Sequence, residues 1–313
     1  MKPRTFRHVF GPVPSRRLGR SLGVDLVPFK TCSYDCVYCQ LGPTTNKTIK
    51  REEFVSTRKV IEEVEQKLAT GVRADYITLS GSGEPTLHSG CGQIIRGIKR
   101  LTKTPVAVLT NGSLLWDPSV RRDISSADLV IPSLDAGDAL AFAHVNRPHK
   151  DLAFDKMVDG LIEFRAMFQG RLWLEVFLLG SLTAMRAEAE KIAVQAQKIR
   201  PDRIQLNTVA RPPAYDFAKG VPEAEMSRLA VLFGENAEVV ADFGGVHEDS
   251  LFSVKREDVL DLIERRPVTL DDVSLSLGVH RNEAVKHLDN LLKQGAIETE
   301  STAGSLFYIR AKR

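Results

Sequence analysis

The sequence contains little cysteine, and this scarcity argues against a small protein stabilised by disulfide bonds. Only four of the 313 residues are cysteine, and three of them lie between Cys32 and Cys39. A disulfide framework spreads its cysteines along the chain, whereas thiols clustered on one short segment are typical of metal ligands. The fourth cysteine, Cys91, has no neighbouring cysteine. We interpret it as a small packing residue near the start of a helix.

Long apolar runs and a strong net charge are also missing. No run reaches the roughly 18 apolar residues that a transmembrane helix needs, and the basic segment 1–10 lacks the apolar centre of a signal peptide. We therefore expect a cytoplasmic protein without a membrane partner. The net charge of +3 permits contact with nucleic acid but does not demand it, because strong binders usually carry a more basic balance.

Short apolar segments alternate with amphipathic ones over residues 1–245. They are rich in Val, Ile and Leu, as expected for parallel strands buried on both faces. The alternation predicts an α/β fold, a partial (β/α)6 barrel, with a Rossmann-type sheet as the alternative. The predicted strands are Ser21–Val27, Asp75–Ser80, Pro105–Thr110, Asp128–Leu134, Leu172–Leu178 and Arg203–Val209, and the predicted helices are Val55–Ala69, Leu152–Phe168, Met185–Lys198 and Glu223–Phe233.

The pattern changes after Gly244, where a Gly-rich linker at 244–250 precedes shorter segments. Three helices followed by a β-hairpin predict a small winged helix-turn-helix domain over residues 250–313. The predicted helices are Lys255–Arg265, Leu270–Leu277 and Arg281–Lys293, and the predicted strands are Ala296–Glu300 and Leu306–Arg310.

The third of these helices would be the recognition helix of a winged helix. Its candidate nucleic-acid-binding residues are Arg281, Asn282 and Lys286, which could face a groove or phosphates. Winged helices also dock proteins, so binding of a protein or peptide, or a packing role, stays open.

The clustered cysteines have the spacing C-x3-C-x2-C, formed by Cys32, Cys36 and Cys39 after the first predicted strand. Barrels place their chemistry at this carboxyl-terminal mouth. Three thiolates on one loop can bind three irons of a 4Fe–4S cluster and leave the fourth iron open. The open iron could bind S-adenosylmethionine, whose reductive cleavage would release a 5′-deoxyadenosyl radical. A structural zinc site with a distant fourth ligand is the alternative, although zinc sites prefer paired cysteines or Cys/His pairs.

Polar residues at the ends of the other predicted strands form a second group of candidates. Gly81, Ser82, Gly83 and Glu84 follow the second strand, and glycines let a backbone approach a ligand closely. Such residues are also common in ordinary turns, so loop capping is the alternative. The candidates at the later strand ends are Asn111, Ser133, Asp135 and Asn207.

The cysteine loop and the Gly-rich turn together resemble the radical S-adenosylmethionine superfamily. Tyr38 fills the aromatic position before the last cysteine, and Gly83-Glu84 preserves a pair of its glycine-glycine-glutamate turn. The resemblance implies an enzyme with a 4Fe–4S cluster on the three cysteines, a low-potential donor such as flavodoxin or ferredoxin, and S-adenosylmethionine as the second cofactor. The cofactor-binding residues that it implies are Tyr38, Gly81, Ser82, Gly83, Glu84, Asn111, Ser133, Asp135 and Asn207.

Four further segments narrow the resemblance to the wyosine-type tRNA-modifying synthases and their relatives. These synthases carry extra N-terminal cysteines for a second cluster, whereas this chain has no cysteine before Cys32. The wyosine reaction itself is therefore not expected. The segments are Gly11–Gly19, Gly81–Leu87, Val145–Pro148 and Asn207–Pro213.

Arginines near the predicted barrel mouth suggest the substrate class. Arg147 and Arg211 are the candidate substrate-binding residues, because guanidinium groups bind phosphate or carboxylate in a bidentate way. We therefore expect modification of tRNA or another RNA base. Radical modification of a protein or peptide, including activation of a glycyl-radical enzyme, is the alternative. A non-enzymatic iron–sulfur transcription regulator is the third hypothesis, and the intact Gly83-Glu84 turn argues against it.

Overall fold

The computed structural model describes residues 6–15, 17–211, 213–240, 256–277, 281–302 and 305–311, with the side chains of residues 14, 257, 281–283 and 286 excepted. The strands are β1 (Val9–Ser15), β2 (Gly19–Val24), β3 (Thr31–Cys32), β4 (Asn46–Lys47), β5 (Tyr76–Leu79), β6 (Val106–Thr110), β7 (Leu129–Pro132), β8 (Arg171–Leu178), β9 (Arg203–Thr208), β10 (Ala237–Val239), β11 (Ile297–Thr302) and β12 (Ser305–Arg310). The helices are α1 (Thr57–Leu68), α2 (Cys91–Leu101), α3 (Pro118–Ile124), α4 (Ala139–Val145), α5 (Phe154–Met167), α6 (Arg186–Ile199), α7 (Glu223–Ala230), α8 (Arg256–Arg265), α9 (Leu270–Leu277) and α10 (Arg281–Lys293).

The central sheet has eight strands in the order β1-β2-β5-β6-β7-β8-β9-β10. All neighbours pair in parallel except β1 and β2, which form an antiparallel hairpin. Beyond β2, each further strand of this sheet is added on the same side, as in a βα barrel. A Rossmann-type sheet reverses its strand order, so that alternative is wrong. The six predicted strands are present, and the two edge strands, β1 and β10, were not predicted.

One contact across the sheet shows that it is strongly curled. Arg17 lies in the turn that joins β1 to β2, and its Nη1 is 3.0 Å from Oε2 of Glu175 in β8. In a flat sheet β2 and β8 would lie four strand spacings apart, about 19 Å. Two side chains cannot span that gap, so the strands must curve around a shared inner face. This curvature is consistent with the predicted partial barrel.

The two faces of the sheet are covered differently. Leu22, Ile77, Val108 and Leu174 point outward into a large apolar core that the helices complete. The inner face carries a smaller cluster, in which Leu18 from the β1–β2 turn packs against residues of β6, β7 and β8. The predicted helices are present as α1, α5, α6 and α7, while α2, α3 and α4 were not predicted.

The C-terminal segment contains the predicted three helices, α8 to α10, and the hairpin of β11 and β12. It has a core of its own around Val259, Leu288 and Ile297, and Val13 of β1 packs against that core. The predicted linker at 244–250 lies outside the described residues. Assignment to the winged-helix class and the division into domains 1–245 and 250–313 are therefore proposals. Among the described residues, no helix is long and apolar enough to cross a membrane.

Candidate functional site

The cysteine loop lies at the carboxyl-terminal end of the sheet and is fixed along its length. Cys32 ends β3, which pairs in parallel with β4 and so closes the loop at its base. In the middle of the loop, the backbone N–H of Val37 donates to the carbonyl of Val145 at the end of α4, at 2.9 Å. Tyr34 is buried with its ring edge-on to Phe142, at 5.3 Å between centroids. The loop is therefore held in place by its neighbours along its length.

Each cysteine sulfur lies close to an N–H donor from a different part of the chain. The Nζ of Lys30 is 3.1 Å from the Sγ of Cys39. The Nδ2 of Asn111 is 3.5 Å from the Sγ of Cys32, and the Nδ2 of Asn146 is 3.5 Å from the Sγ of Cys36. N–H···S bonds stabilise sulfur that carries negative charge, as in a thiolate bound to iron.

Burial makes the free thiolates unfavourable in this loop. It raises the pKa of Cys32 to about 12 and the pKa of Cys36 well above its ordinary value, and the neighbouring thiols and carboxylates raise both further. A bound cation would compensate this penalty, because metal ligation deprotonates a thiol. The grouped sulfurs therefore fit iron.

The arrangement fits a cluster better than a single ion. Across the described ranges, no three His, Cys, Asp or Glu side chains are grouped so that they could hold one metal ion. In a 4Fe–4S cluster each thiolate binds a different iron, so the sulfurs need not converge on one point. Cys91 is fully buried in the apolar core at the start of α2, as predicted for a packing residue.

Asp135, which follows β7, braces the cysteine loop through hydrogen bonds. Its carboxylate accepts hydrogen bonds from the Tyr38 hydroxyl at 2.5 Å, the Asn146 amide at 2.7 Å and the backbone N–H of Phe177 at 3.0 Å. Burial raises the pKa of Asp135 to about 6. Both oxygens accept hydrogen bonds within the protein and the side chain is buried, so Asp135 braces the loop. Its predicted role in cofactor binding stays a prediction. Tyr38 stacks on the ring of Phe177, at 3.9 Å between centroids.

Glu84 has a similar internal role in the Gly-rich turn. It is 2% exposed, and its carboxylate accepts hydrogen bonds from the Thr86 and Thr110 hydroxyls, both at 2.6 Å, and from the backbone N–H of Asn111 at 2.7 Å. Its pKa is raised, mainly by burial, although these hydrogen bonds oppose the change. The Glu84 side chain therefore joins the turn to the end of β6. Binding of S-adenosylmethionine by backbone groups of this turn stays a prediction.

The turn packs tightly against the cysteine segment and against Asp25. A Cβ on Gly83 would lie 1.9 Å from the carbonyl oxygen of Thr31, so only glycine fits there. Gly81 has a φ of +150°, and a Cβ there would lie 2.5 Å from the carboxyl carbon of Asp25. The backbone N–H of Ser82 donates to Asp25 at 3.1 Å, and the Ser82 hydroxyl also donates to that carboxylate. The loop and the turn therefore form one packed unit.

Two further candidates lie on the inner face of the sheet, next to Glu175. Asn207 donates from Nδ2 to Oε1 of Glu175 at 2.9 Å, and Ser133 lies opposite Glu175 in an isolated parallel bridge. Arg17 completes this group through its ion pair with Glu175. These side chains lie on the inner face of the curved sheet, and the role of Asn207 and Ser133 in cofactor binding stays a prediction.

Arg147 lies beside the cysteine loop, and its role in substrate binding stays a prediction. Its guanidinium carbon is 4.2 Å from the ring centroid of Tyr215 and 5.8 Å from that of Phe217. Its carbonyl accepts a hydrogen bond from the backbone N–H of Asp35, at 3.2 Å. The Tyr215 hydroxyl donates to the Asp35 carboxylate at 3.3 Å, and Phe217 is 48% exposed. We call Arg147, Tyr215 and Phe217 the stacking platform.

Arg211 has a different role from the one predicted. Its Nη1 and Nη2 each lie 3.0 Å from a carboxylate oxygen of Asp272 in α9, and Nη1 also donates to the carbonyl of Pro267 at 2.5 Å. Both charged side chains are largely buried. Because the guanidinium is already occupied, Arg211 holds the C-terminal segment against the sheet and does not face substrate. Sequence reasoning missed this because Asp272 is 61 residues away.

The candidate nucleic-acid-binding residues cannot be placed in the same detail. Arg281, Asn282 and Lys286 belong to α10, but their side chains lie outside the described residues.

A second contact of the C-terminal segment with the catalytic part was not predicted. Arg265, the last residue of α8, lies with Nη1 3.4 Å from Asp25 and with its guanidinium carbon 4.1 Å from the ring centroid of Phe10.

Comparison with known proteins agrees with this geometry. Residues 26–193, which include the cysteine loop and the Gly-rich turn, match the Radical SAM superfamily. The chain belongs to this superfamily. It is 34% identical over 309 residues to a UPF0026 protein of Methanocaldococcus jannaschii, covering 96% of this chain and 95% of that protein.

Two other similarities are partial. The chain is 40% identical over 305 residues to the protein named GTPase Obg of Brachyspira hyodysenteriae, which covers 96% of this chain and 45% of that protein, so the chain spans less than half of that relative. A radical SAM methyltransferase from Sphaerobacter thermophilus shares the fold, with a TM-score of 0.55 and 16% identity over 70% of this chain and 65% of that one.

Membership of the superfamily makes the chain a radical SAM enzyme and gives it two cofactors. These are the 4Fe–4S cluster and S-adenosylmethionine, as expected from the cysteine spacing. The non-enzymatic regulator is therefore excluded. Enzymes of this superfamily also need an electron donor.

Proposed function

We propose that this radical SAM enzyme modifies a base of tRNA or of another RNA. When bound, the cluster and S-adenosylmethionine supply the radical that abstracts a hydrogen atom from the substrate. Cys32, Cys36 and Cys39 hold the cluster, and the turn at 81–84 holds S-adenosylmethionine. A flavodoxin or ferredoxin supplies the electron.

The stacking platform is the observation that carries this proposal. Bases of single-stranded RNA stack on aromatic rings and on guanidinium planes, and every base has a flat face that suits such a surface. Arg147 provides the guanidinium, and Phe217 provides a half-exposed ring. The platform lies beside the cysteine loop because Asp35 of that loop contacts both Arg147 and Tyr215. A stacked base would therefore lie close to the cofactors.

The chain's C-terminal segment supports the same proposal. It has the order of helices and strands of a winged helix. We propose that α10 contacts the RNA away from the modified base. Arg211 and Arg265 hold this segment against the catalytic part. The resemblance to wyosine-type synthases supports tRNA as the substrate.

The proposal is tested by the nucleosides that the holoenzyme produces. Bulk tRNA is incubated with reduced holoenzyme and S-adenosylmethionine, digested, and analysed by mass spectrometry, with Cys36→Ala protein as the control. A new nucleoside that appears only with the wild-type enzyme supports the proposal. An unchanged tRNA, together with a modified peptide after incubation with a cell protein fraction, would favour the protein-modifying alternative.

A further inference from the structure

Lys30 is a buried lysine for which the described residues supply no carboxylate partner. The residue is 3% exposed, and its Nζ lies 3.1 Å from the Sγ of Cys39. Within the described part of the chain, no Asp or Glu forms an ion pair with it. Burying an ammonium group without a counter-charge is strongly unfavourable, and proteins rarely do so unless the group is paired. The protein alone therefore does not explain why a lysine occupies this position.

The backbone of Lys30 adds a second observation. Its φ is +58°, a left-handed conformation that non-glycine residues seldom adopt and that is enriched at functional sites. Two hydrogen bonds hold it there. Its backbone N–H donates to the carbonyl of Ser82 at 2.6 Å, and its own carbonyl accepts from the backbone N–H of Asn46 at 3.1 Å. The chain thus maintains a strained backbone that directs the ammonium group toward a cysteine of the site.

A 4Fe–4S cluster on three thiolates supplies the missing negative charge. Its negative charge increases by one when it accepts an electron, so a nearby fixed cation stabilises the reduced form more than the oxidised form. Net charge and hydrogen bonds to the sulfurs are known determinants of cluster potential. In the low-dielectric surroundings of a buried site, one cation at contact distance has a large effect.

We propose that Lys30 is the counter-charge of the cluster and raises its reduction potential. The donor transfers one electron to the cluster, and the ammonium group lowers the free energy of the product state without exchanging a proton. Asn111 and Asn146 donate to the other two sulfurs as neutral amides, so Lys30 provides the charged contact of the three. The substrate plays no part in this inference, which therefore stands or falls separately from the RNA proposal.

The test is a redox titration of the reconstituted holoenzyme without S-adenosylmethionine, followed by electron paramagnetic resonance of the reduced cluster. Lys30→Met removes the charge and the N–H donor, whereas Lys30→Gln removes only the charge. We expect both variants to contain at least tenfold less reduced cluster relative to oxidised cluster at the wild-type midpoint. A tenfold change corresponds to about 59 mV for one electron. Lys30→Arg, which keeps the charge, should restore most of the wild-type ratio.

Lys47→Met is the matched control. Lys47 lies opposite Cys32 in the β3–β4 pair, but its Nζ contacts the carbonyl of Arg147 at 3.2 Å instead of a sulfur. Its replacement should leave the midpoint unchanged. A ratio in both Lys30 variants within twofold of wild type would overturn the proposal. So would a decrease in Lys30→Met alone, which would show that the hydrogen bond matters and not the charge. If neither variant binds iron, Lys30 serves cluster assembly and the proposal is wrong as stated.

Discussion

Asn146 and Asp135 are joined by a 2.7 Å hydrogen bond, and the same amide nitrogen of Asn146 lies 3.5 Å from the sulfur of Cys36. Asp135 follows β7 and Asn146 follows α4, so one carboxylate aligns two separate elements against the cysteine loop. The Tyr38 hydroxyl on that loop donates to the same carboxylate. The geometry of the cysteines therefore depends on a buried residue that touches none of them.

Replacing Asp135 by Asn should destabilise the protein and weaken cluster loading. The carboxylate accepts from three donors, and an amide would turn an N–H group toward at least one of them. Leaving buried donors unsatisfied costs about 1–3 kcal/mol. Urea unfolding of the apo-protein and the iron content after reconstitution measure both effects. Asp138→Asn is the control, because asparagine still caps α4, and it should change stability by less than about 1 kcal/mol.

The ion pair of Arg211 and Asp272 should make stability depend on pH in the acid range. Arg211 helps to lower the pKa of Asp272 from 3.8 to about 2, although burial opposes this change. A carboxyl whose pKa is depressed by folding stabilises the folded state above its unfolded pKa and loses that contribution as pH falls toward the folded pKa. A depression of nearly two pKa units corresponds to roughly 2 kcal/mol.

Urea unfolding of Asp272→Asn at several pH values tests this expectation. The variant should be roughly 2 kcal/mol less stable than wild type at pH 7, and the difference should shrink as the pH falls from about 4 to about 2. Glu264→Gln removes a half-exposed ion pair with Arg310 in the same segment and should cost less than about 1 kcal/mol. A difference for Asp272→Asn that does not change with pH would contradict the assigned ion pair.

Replacing Arg147 by Gln should weaken RNA binding. The substitution removes a charged plane from the stacking platform, and base stacking on such surfaces contributes about 1–3 kcal/mol per base. We expect tRNA to bind at least about tenfold more weakly, measured by fluorescence anisotropy at a fixed salt concentration. Arg203→Gln is the matched control, because Arg203 lies over the Trp173 ring near the start of β9, away from the cysteine loop. Equal losses in the two variants would remove the support for the platform.

The sequence predicted the cysteine loop from its spacing and most helices and strands from their hydrophobic periodicity. It missed the features that depend on contacts between distant parts of the chain. The spacing of Cys32, Cys36 and Cys39 indicated the cluster, because few other sites use three clustered thiols. The edge strand β1 was missed because Pro12 and Pro14 interrupt its pattern. Single residues were assigned less well than elements. Arg211 is far in sequence from Asp272, and no local pattern shows which charged groups folding brings together.

Lys30 and Asn146 were missed for the same reason. Lys30 is two residues from Cys32, but a lysine in a loop is ordinary until its burial and its distance to Cys39 are known. Asn146 was part of a segment that supported a resemblance, yet its contact with Cys36 spans 110 residues. The sequence predicted the correct edge of the sheet for Asp135. Its bracing role follows from its hydrogen-bond partners, which the sequence does not show.

The yield of 5′-deoxyadenosine from reduced holoenzyme and S-adenosylmethionine, measured anaerobically with and without bulk tRNA, tests the central claim most directly. The account predicts that tRNA increases the yield, that ribonuclease treatment removes the increase, and that Cys36→Ala gives no product. Stimulation by a cell protein fraction but not by tRNA would contradict the RNA assignment. No 5′-deoxyadenosine from a fully loaded cluster under any condition would contradict the cofactor chemistry itself.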